Sequence, residues 1–257
     1  MTQSIASEQL PDGATFVLDP ALHCLFLDFD GTLVEFADHP DAVILSRTVH
    51  DDILRLHREL NGALAVVSGR EIEVLDRYLA PEKLPLAGVH GMMRRDGDGR
   101  LHVAPFDAQM LERLHACLQP FVAAHDGLIL ERKPGSVALH FRIRPELEEA
   151  AQVAMKQAIT EAAQGEGRFH VMQGKMVVEA RASMATKAGA IAAFMNEPPF
   201  AGRIPVFAGD DVTDEDGFAE VNARGGVSMK VGAGATQAQF HVAGVRAFHN
   251  WLASCLP

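Results

Sequence analysis

The chain has 257 residues, 23 Lys and Arg against 34 Asp and Glu, a formal charge of −11, and a composition that is 48% hydrophobic and 22% charged. This balance belongs to globular proteins with room for one large domain or two smaller ones, and it excludes a disordered or fibrous chain. A net negative charge with no Lys/Arg-rich run removes the counterion release that drives binding to phosphate backbones, so no nucleic-acid partner is expected.

The opening MTQSIASEQLPDGATF has no basic segment followed by an apolar one, and no apolar run approaches the ~18–20 residues that cross a bilayer. Cys24, Cys117 and Cys255 are widely spaced and form no C-x-x-C pair, against a disulfide framework. The expectation is a protein of the reducing cytoplasm with no membrane partner.

From Leu22 to Phe29 the run LHCLFLDF is almost unbroken in apolar residues and ends in acids and Gly31, as a parallel strand buried on both faces does. Ser46 to Leu60 carries Val49, Ile53, Leu56 and Leu60 at helical spacing, and Asn61-Gly62 stops it before a second apolar strand, Ala63 to Val67. This is a βαβ unit. Its right-handed crossover brings both strand ends to one sheet edge and sets Ser68-Gly69-Arg70 beside Asp28 and Asp30. A helix over Glu71 to Tyr78, a short strand over Leu86 to Val89 and a hairpin turn at Asp96-Gly97-Asp98-Gly99 follow.

The segment from about Asp107 to Ala182 reads as an αββαββ insert. Helices are expected over Met110 to Ala124 and Pro145 to Gln164, and strands over Leu128 to Lys133, Ser136 to Arg142, Phe169 to Gln173 and Lys175 to Arg181, with a turn at Pro134-Gly135. Val137, Leu139, Phe141 and Ile143 point one way, and Ala138, His140, Arg142 and Arg144 the other. Likewise Met176, Val178 and Ala180 oppose Lys175, Val177, Glu179 and Arg181. The apolar face should pack on the two helices, leaving Glu131, Lys133, His140, Arg142, Lys175 and Glu179 on a polar face suited to a polyhydroxylated or anionic ligand. After the insert VFAGDD is another apolar strand ending in acids, GGVSMKV a further strand, and Thr236 to Leu256 a terminal helix.

Chemistry concentrates in Asp28-Phe29-Asp30-Gly31-Thr32-Leu33. A carboxylate at a strand's C-terminal edge can attack phosphorus while the following turn offers amides to phosphate oxygens. Two acids so close need a cation, and hard oxygen ligands beside a phosphate favour Mg²⁺. Gly209-Asp210-Asp211, followed by Thr213-Asp214-Glu215, would complete the metal site from a second strand end. A calcium loop does not fit GDDVTDEDG, because Val212 occupies a ligand position. Phosphate-loop, dinucleotide, zinc-protease and nucleophile-elbow motifs are absent.

With DFDGTL, VVSGR, Lys187 and GDDVTDE in this order, the chain resembles the haloacid dehalogenase (HAD) phosphatases. GVHG at Gly88 to Gly91, ERKPGSVALHFR, GKMVVEARA and GDDVTDEDGF make it most similar to their trehalose-6-phosphate phosphatase family, over core and insert alike. The resemblance implies an α/β fold: a HAD-like, Rossmannoid parallel-sheet core over residues 1–106 and 183–257, and an inserted C2-type cap over 107–182 for sugar recognition. It implies that Asp28 is the nucleophile, that Asp30 protonates the leaving sugar oxygen and then activates water, and that Ser68 and Lys187 bind the phosphate, with Thr32, Gly69 and Arg70 around it. Mg²⁺ would be held by Asp28, the Asp30 carbonyl and Asp210, with Asp211 and Asp214 in or beside the site. In the cap, Glu131, Lys133, Lys175 and Glu179 stand at sugar-binding places, joined by His140 and Arg142, with His90 on the core side. A cap hinged near Pro105 and Ser183 could close over substrate.

The expected reaction is Mg²⁺-dependent hydrolysis of trehalose 6-phosphate, the last step of trehalose biosynthesis, with a functional link to a trehalose-6-phosphate synthase. Two other readings share these motifs. One is a related sugar-phosphate phosphatase or mutase, such as sucrose-phosphate phosphatase or phosphomannomutase; the other is a non-catalytic sugar-phosphate sensor.

Overall fold

A strand with no polar face is stable only in the middle of a covered sheet, and Cys24 to Leu27 are buried there without exception. The computed structural model describes residues 5–7, 10–37, 42–133, 135–163, 169–174, 176–182 and 185–256. In chain order the first elements are Ile5–Ala6 (β1), His23–Leu27 (β2), Arg47–Glu59 (α1), Leu64–Val67 (β3), Ile72–Leu79 (α2), Leu86–Gly88 (β4), Met93–Arg95 (β5) and Leu101–Val103 (β6). Ala108–Ala123 (α3), Ile129–Lys133 (β7), Ser136–His140 (β8), Glu148–Ala163 (α4), Phe169–Gly174 (β9) and Val177–Ala182 (β10) follow. Lys187–Phe194 (α5), Ile204–Gly209 (β11), Glu215–Ala223 (α6), Val227–Val231 (β12), Ala235–Thr236 (β13), Phe240–Val242 (β14) and Val245–Ser254 (α7) complete it. Chain contacts divide it into two units, Met1–His102 with Thr186–Pro257, and Val103–Ala185.

The first unit is built on an eight-stranded sheet in the order β14-β12-β11-β2-β3-β4-β5-β6. The strands from β14 to β4 run parallel. From β2 the chain moves through β3 to β4 on one side, and after the insert it continues from β11 to β12 on the other. The order therefore reverses between β2 and β11, where a crevice opens at the carboxyl ends of open α/β sheets. Ser46 caps α1 by accepting from the Val49 amide, a contact worth about 1 kcal/mol. Phe26 stacks on Phe200 at 5.3 Å between ring centroids, and Phe194 packs beside both.

The second unit has a four-stranded antiparallel sheet, β7-β8-β10-β9, under α3 and α4. Leu114, Leu118 and Met155 from the helices meet Val137, Leu139, Val178 and Ala180 from the strands in one buried cluster. No described helix is long and apolar enough to cross a membrane.

Two expectations are corrected. Thr236 to Leu256 is not one helix: Phe240 and Val242 pair with Met229 and Val231 of β12, so an edge strand forms first and the helix begins at Val245. Short alternation was outweighed in the sequence by the helical pattern after it. Ile143 does not join the apolar face; β8 ends at His140, the Arg144 amide bonds the Phe141 carbonyl, and Ile143 is 71% exposed. Helices α5 and α6 were not anticipated. The expected turn residue Pro134, the helix end Gln164, the hinge residue Ser183 and Lys175 lie outside the described residues.

Candidate active site

Asp28 follows directly on β2, Ser68 on β3 and Asp210 on β11, so three neighbouring parallel strands deliver these residues to one sheet edge. The Asp28 amide donates to the Ala208 carbonyl and the Ser68 amide to that of Ala87, continuing the strand ladders into the site. Gly31 turns the chain with φ 78°, and a Cβ placed there would stand 2.1 Å from Asp210 Oδ2. Only glycine permits this approach of the Asp210 carboxylate to the turn.

Lys187 is the first residue of α5, whose N-cap Thr186 accepts from the Gly189 amide. Its side chain is 3% exposed, and Nζ donates to Asp28 Oδ1 at 2.7 Å and to Asp214 Oδ1 at 2.6 Å. Lys187 is thus buried between two carboxylates. The other Asp214 oxygen accepts from the amides of Asp210 and Asp211, both at 3.0 Å. Asp214 therefore ties Lys187 to the loop that carries Asp210.

Burial pushes the Asp28 carboxyl up to about 7 against the pull of Lys187. Burial and the Asp28 charge push Asp214 up to about 7, and burial with the Asp214 and Asp211 charges pushes Asp210 up to about 6. Burial alone would lower the Lys187 ammonium, but Asp28 and Asp214 raise it. One oxygen each from Asp28, Asp210 and Asp214 lie within 4.8 Å of one another, a set that could hold a metal ion. A phosphate monoester adds about −1.5 to −2 charges, which this cluster cannot accept without a cation. The donor set fits a divalent ion with a preference for oxygen. Thr32 Oγ1, in the turn after Asp30, is buried with no hydrogen-bond partner among the described residues.

Asp30 is gripped by Arg70, with Nε 2.7 Å from Oδ2 and Nη2 2.7 Å from Oδ1. The Arg70 guanidinium also lies over the rings of Phe29 and Tyr78. His90 reaches the same loop: a Cβ on Gly69 would stand 2.5 Å from its Nε2, and its amide donates to the Ser68 carbonyl. Asp211 stands apart, because its carboxylate accepts from the Thr213 amide and hydroxyl at 2.7 Å, and these bonds hold its carboxyl low against the effect of burial. Lys230, which the sequence reading did not single out, is buried at the end of β12 and donates to the Asp210 carbonyl. A lone lysine closing a buried parallel strand was the available signal.

In the second unit, Glu131 bonds His140 Nε2 at 2.8 Å and lies 3.6 Å from Lys133 Nζ. Glu179 is held by Arg181, which shares this face and to which no motif gives a role. Arg142 is exposed in the turn after β8 and does not join the strand face.

The trehalose-phosphatase profile matches residues 26–245. The chain belongs to the trehalose-phosphatase family. Among its relatives, the trehalose-6-phosphate phosphatase of Escherichia coli (strain K12) is 43% identical over 232 residues, covering 90% of this chain and 86% of that protein. A bifunctional trehalose-6-phosphate synthase/phosphatase of Thermoproteus tenax is 32% identical over 238 residues, which are 91% of this chain but 32% of that protein. The C-terminal domain of the Candida albicans trehalose-6-phosphate phosphatase superposes with a TM-score of 0.70 over 96% of this chain and 97% of that domain, at 21% identity. A HAD-superfamily phosphatase of Bacteroides thetaiotaomicron superposes with a TM-score of 0.62 over 96% of this chain and 97% of that chain, at 15% identity, so the fold is shared with it.

Proposed function

We propose that this chain hydrolyses trehalose 6-phosphate to trehalose and phosphate. The observation that carries the reading is the meeting of Asp28, Lys187, Asp214 and Asp210 at one sheet edge, in a chain of the trehalose-phosphatase family. An Asp28 oxygen attacks phosphorus as the bond to the sugar oxygen breaks, and Asp30 gives that oxygen its proton. Water, deprotonated by Asp30, then attacks the phosphorus of the aspartyl-phosphate and releases Asp28. Lys187, fixed between Asp28 and Asp214, faces the transferred group with a charge that needs no reorganisation, and Ser68 and Thr32 bind phosphate oxygens.

The Asp28 and Asp210 carboxylates and the Asp30 carbonyl would hold Mg²⁺, which when bound neutralises charge on the phosphoryl oxygens. Asp214 has both oxygens engaged and serves as the anchor of Lys187. The polar strand face of residues 107–182 takes the sugar, through Glu131, Lys133 and Glu179. A trehalose-6-phosphate synthase supplies the substrate, a link supported by the T. tenax relative whose name combines both activities. The free thiols of Cys24, Cys117 and Cys255 suit a reducing compartment.

The test is phosphate release from trehalose 6-phosphate beside sucrose, glucose and mannose 6-phosphates, with Mg²⁺ or with EDTA. Mg²⁺-dependent turnover of the trehalose ester above the others is expected. Turnover spread over the panel, or confined to another ester, would overturn the trehalose reading while keeping a phosphatase.

A further inference from the structure

Antiparallel partners share a sheet face, so the register of the four-stranded sheet places side chains in rows. One row runs Glu131, Ala138, Glu179; the next runs Lys133, Ser136, Arg181. In these two rows β8 contributes only a methyl and a hydroxymethyl group, and its His140 stands in the row beyond Glu131. Charged side chains rise from β7 on one side and β10 on the other, two strand spacings or roughly 10 Å apart. These rows give a floor, on which Ala138 and Ser136 are buried, between two charged walls spaced on the scale of a sugar ring.

The β10 wall is a fixed pair. Arg181 Nε and Nη2 donate to Glu179 Oε1 and Oε2 at 2.9 and 3.2 Å, and the two side chains are only 13% and 12% exposed. Burial pushes the Glu179 carboxyl up, but Arg181 overrides it and holds it low. The third guanidinium nitrogen, Nη1, is buried and has no hydrogen-bond partner among the described residues. Leaving such a donor unpaired forfeits a hydrogen bond that a ligand oxygen would restore.

We propose that Arg181 is a specificity-determining residue for the sugar. It fixes Glu179 as an acceptor and keeps Nη1–H, on the guanidinium edge away from that carboxylate, as a donor, so the pair binds two hydroxyls of the sugar. This rests on the reading of residues 107–182 as the sugar-binding part of a trehalose-6-phosphate phosphatase, and it adds a residue the motifs did not assign. Lysine keeps the charge but loses the planar fork that holds a carboxylate and a ligand together.

The experiment compares wild type with Arg181→Lys and Arg181→Gln on trehalose 6-phosphate and on p-nitrophenyl phosphate, which has no sugar. KM for trehalose 6-phosphate should rise about 10- to 100-fold in both variants, the range for a lost hydrogen bond to a charged group. Turnover of p-nitrophenyl phosphate should stay near wild type, while trehalose should inhibit it less well in the variants. Equal losses on both substrates would make Arg181 merely structural, and an unchanged KM would also overturn the inference. A wild-type enzyme that cleaves p-nitrophenyl phosphate but not trehalose 6-phosphate would overturn the substrate reading first, and this inference with it.

Discussion

Arg70 holds Asp30 by both carboxylate oxygens at 2.7 Å, and Phe29 and Tyr78 in turn hold the guanidinium plane. A bidentate fork fixes the orientation of a carboxylate as well as its charge. Asp30, the proposed proton donor to the sugar oxygen, is therefore positioned by Arg70 as a carboxylate, and one of its oxygens has to leave the fork to carry the proton. Arg70→Met should lower kcat for trehalose 6-phosphate about 10²-fold, the lower range for general acid catalysis. It should affect p-nitrophenyl phosphate much less, because that leaving group departs without a proton. Parallel losses on both esters in steady-state assays would argue against this role.

Lys187 is the cation between two buried carboxylates. Lys187→Met leaves them unpaired and should destabilise the fold by about 3–5 kcal/mol at pH 8. The loss should shrink at pH 5, where Asp28 and Asp214, each raised to about 7, accept protons and no longer need the ammonium. Urea unfolding at the two pH values measures this, and a loss independent of pH would contradict it.

The raised carboxyls also set the pH response of the metal-free chain. Asp28 and Asp214 at about 7 and Asp210 at about 6 lie above the ordinary 3.8, so the folded state binds more protons than the unfolded one between these values. Their contribution to stability is full below 3.8 and is lost as pH rises through 6 to 7. Mg²⁺ bound by these carboxylates would stabilise the state in which they are charged. The rise in Tm that Mg²⁺ gives over EDTA should be larger at pH 8 than at pH 5, and smaller in Asp210→Asn. A rise equal at both pH values would place the ion elsewhere.

Gly31→Ala tests the approach of two strand ends. The added Cβ would stand 2.1 Å from Asp210 Oδ2 on a backbone with φ 78°. Strain of about 1–3 kcal/mol and a displaced Asp210 should follow, seen as a lower Tm and loss of most Mg²⁺-dependent activity. Wild-type activity in this variant would remove Asp210 from the site.

The strand ends carrying Asp28, Ser68 and Asp210 were legible because each follows an apolar run that only a buried parallel strand explains. The insert was legible through alternation on β8 and β10, where Val137, Leu139, Val178 and Ala180 face one cluster. The crossover placed Arg70 beside Asp30 in the sequence, but the fork between them was not legible, because neither side chain's direction follows from motif order. Lys230 and Arg181 were hidden for the same reason: each is one charged residue in a strand, and its value comes from Asp210 or Glu179 across the sheet or along it. The strand Phe240–Val242 was lost to a neighbouring helical pattern, since three residues of alternation weigh little until β12 pairs with them.

The most direct measurement is phosphate release from trehalose 6-phosphate with Mg²⁺, followed side by side for wild type and Asp28→Asn. Wild type should turn over, and the variant, which removes one carboxylate oxygen and its charge, should fall by at least about 10³-fold, as loss of a nucleophile does. Turnover by Asp28→Asn at a rate near wild type would contradict the assignment of Asp28 as the nucleophile and, with it, the chemistry proposed for this sheet edge.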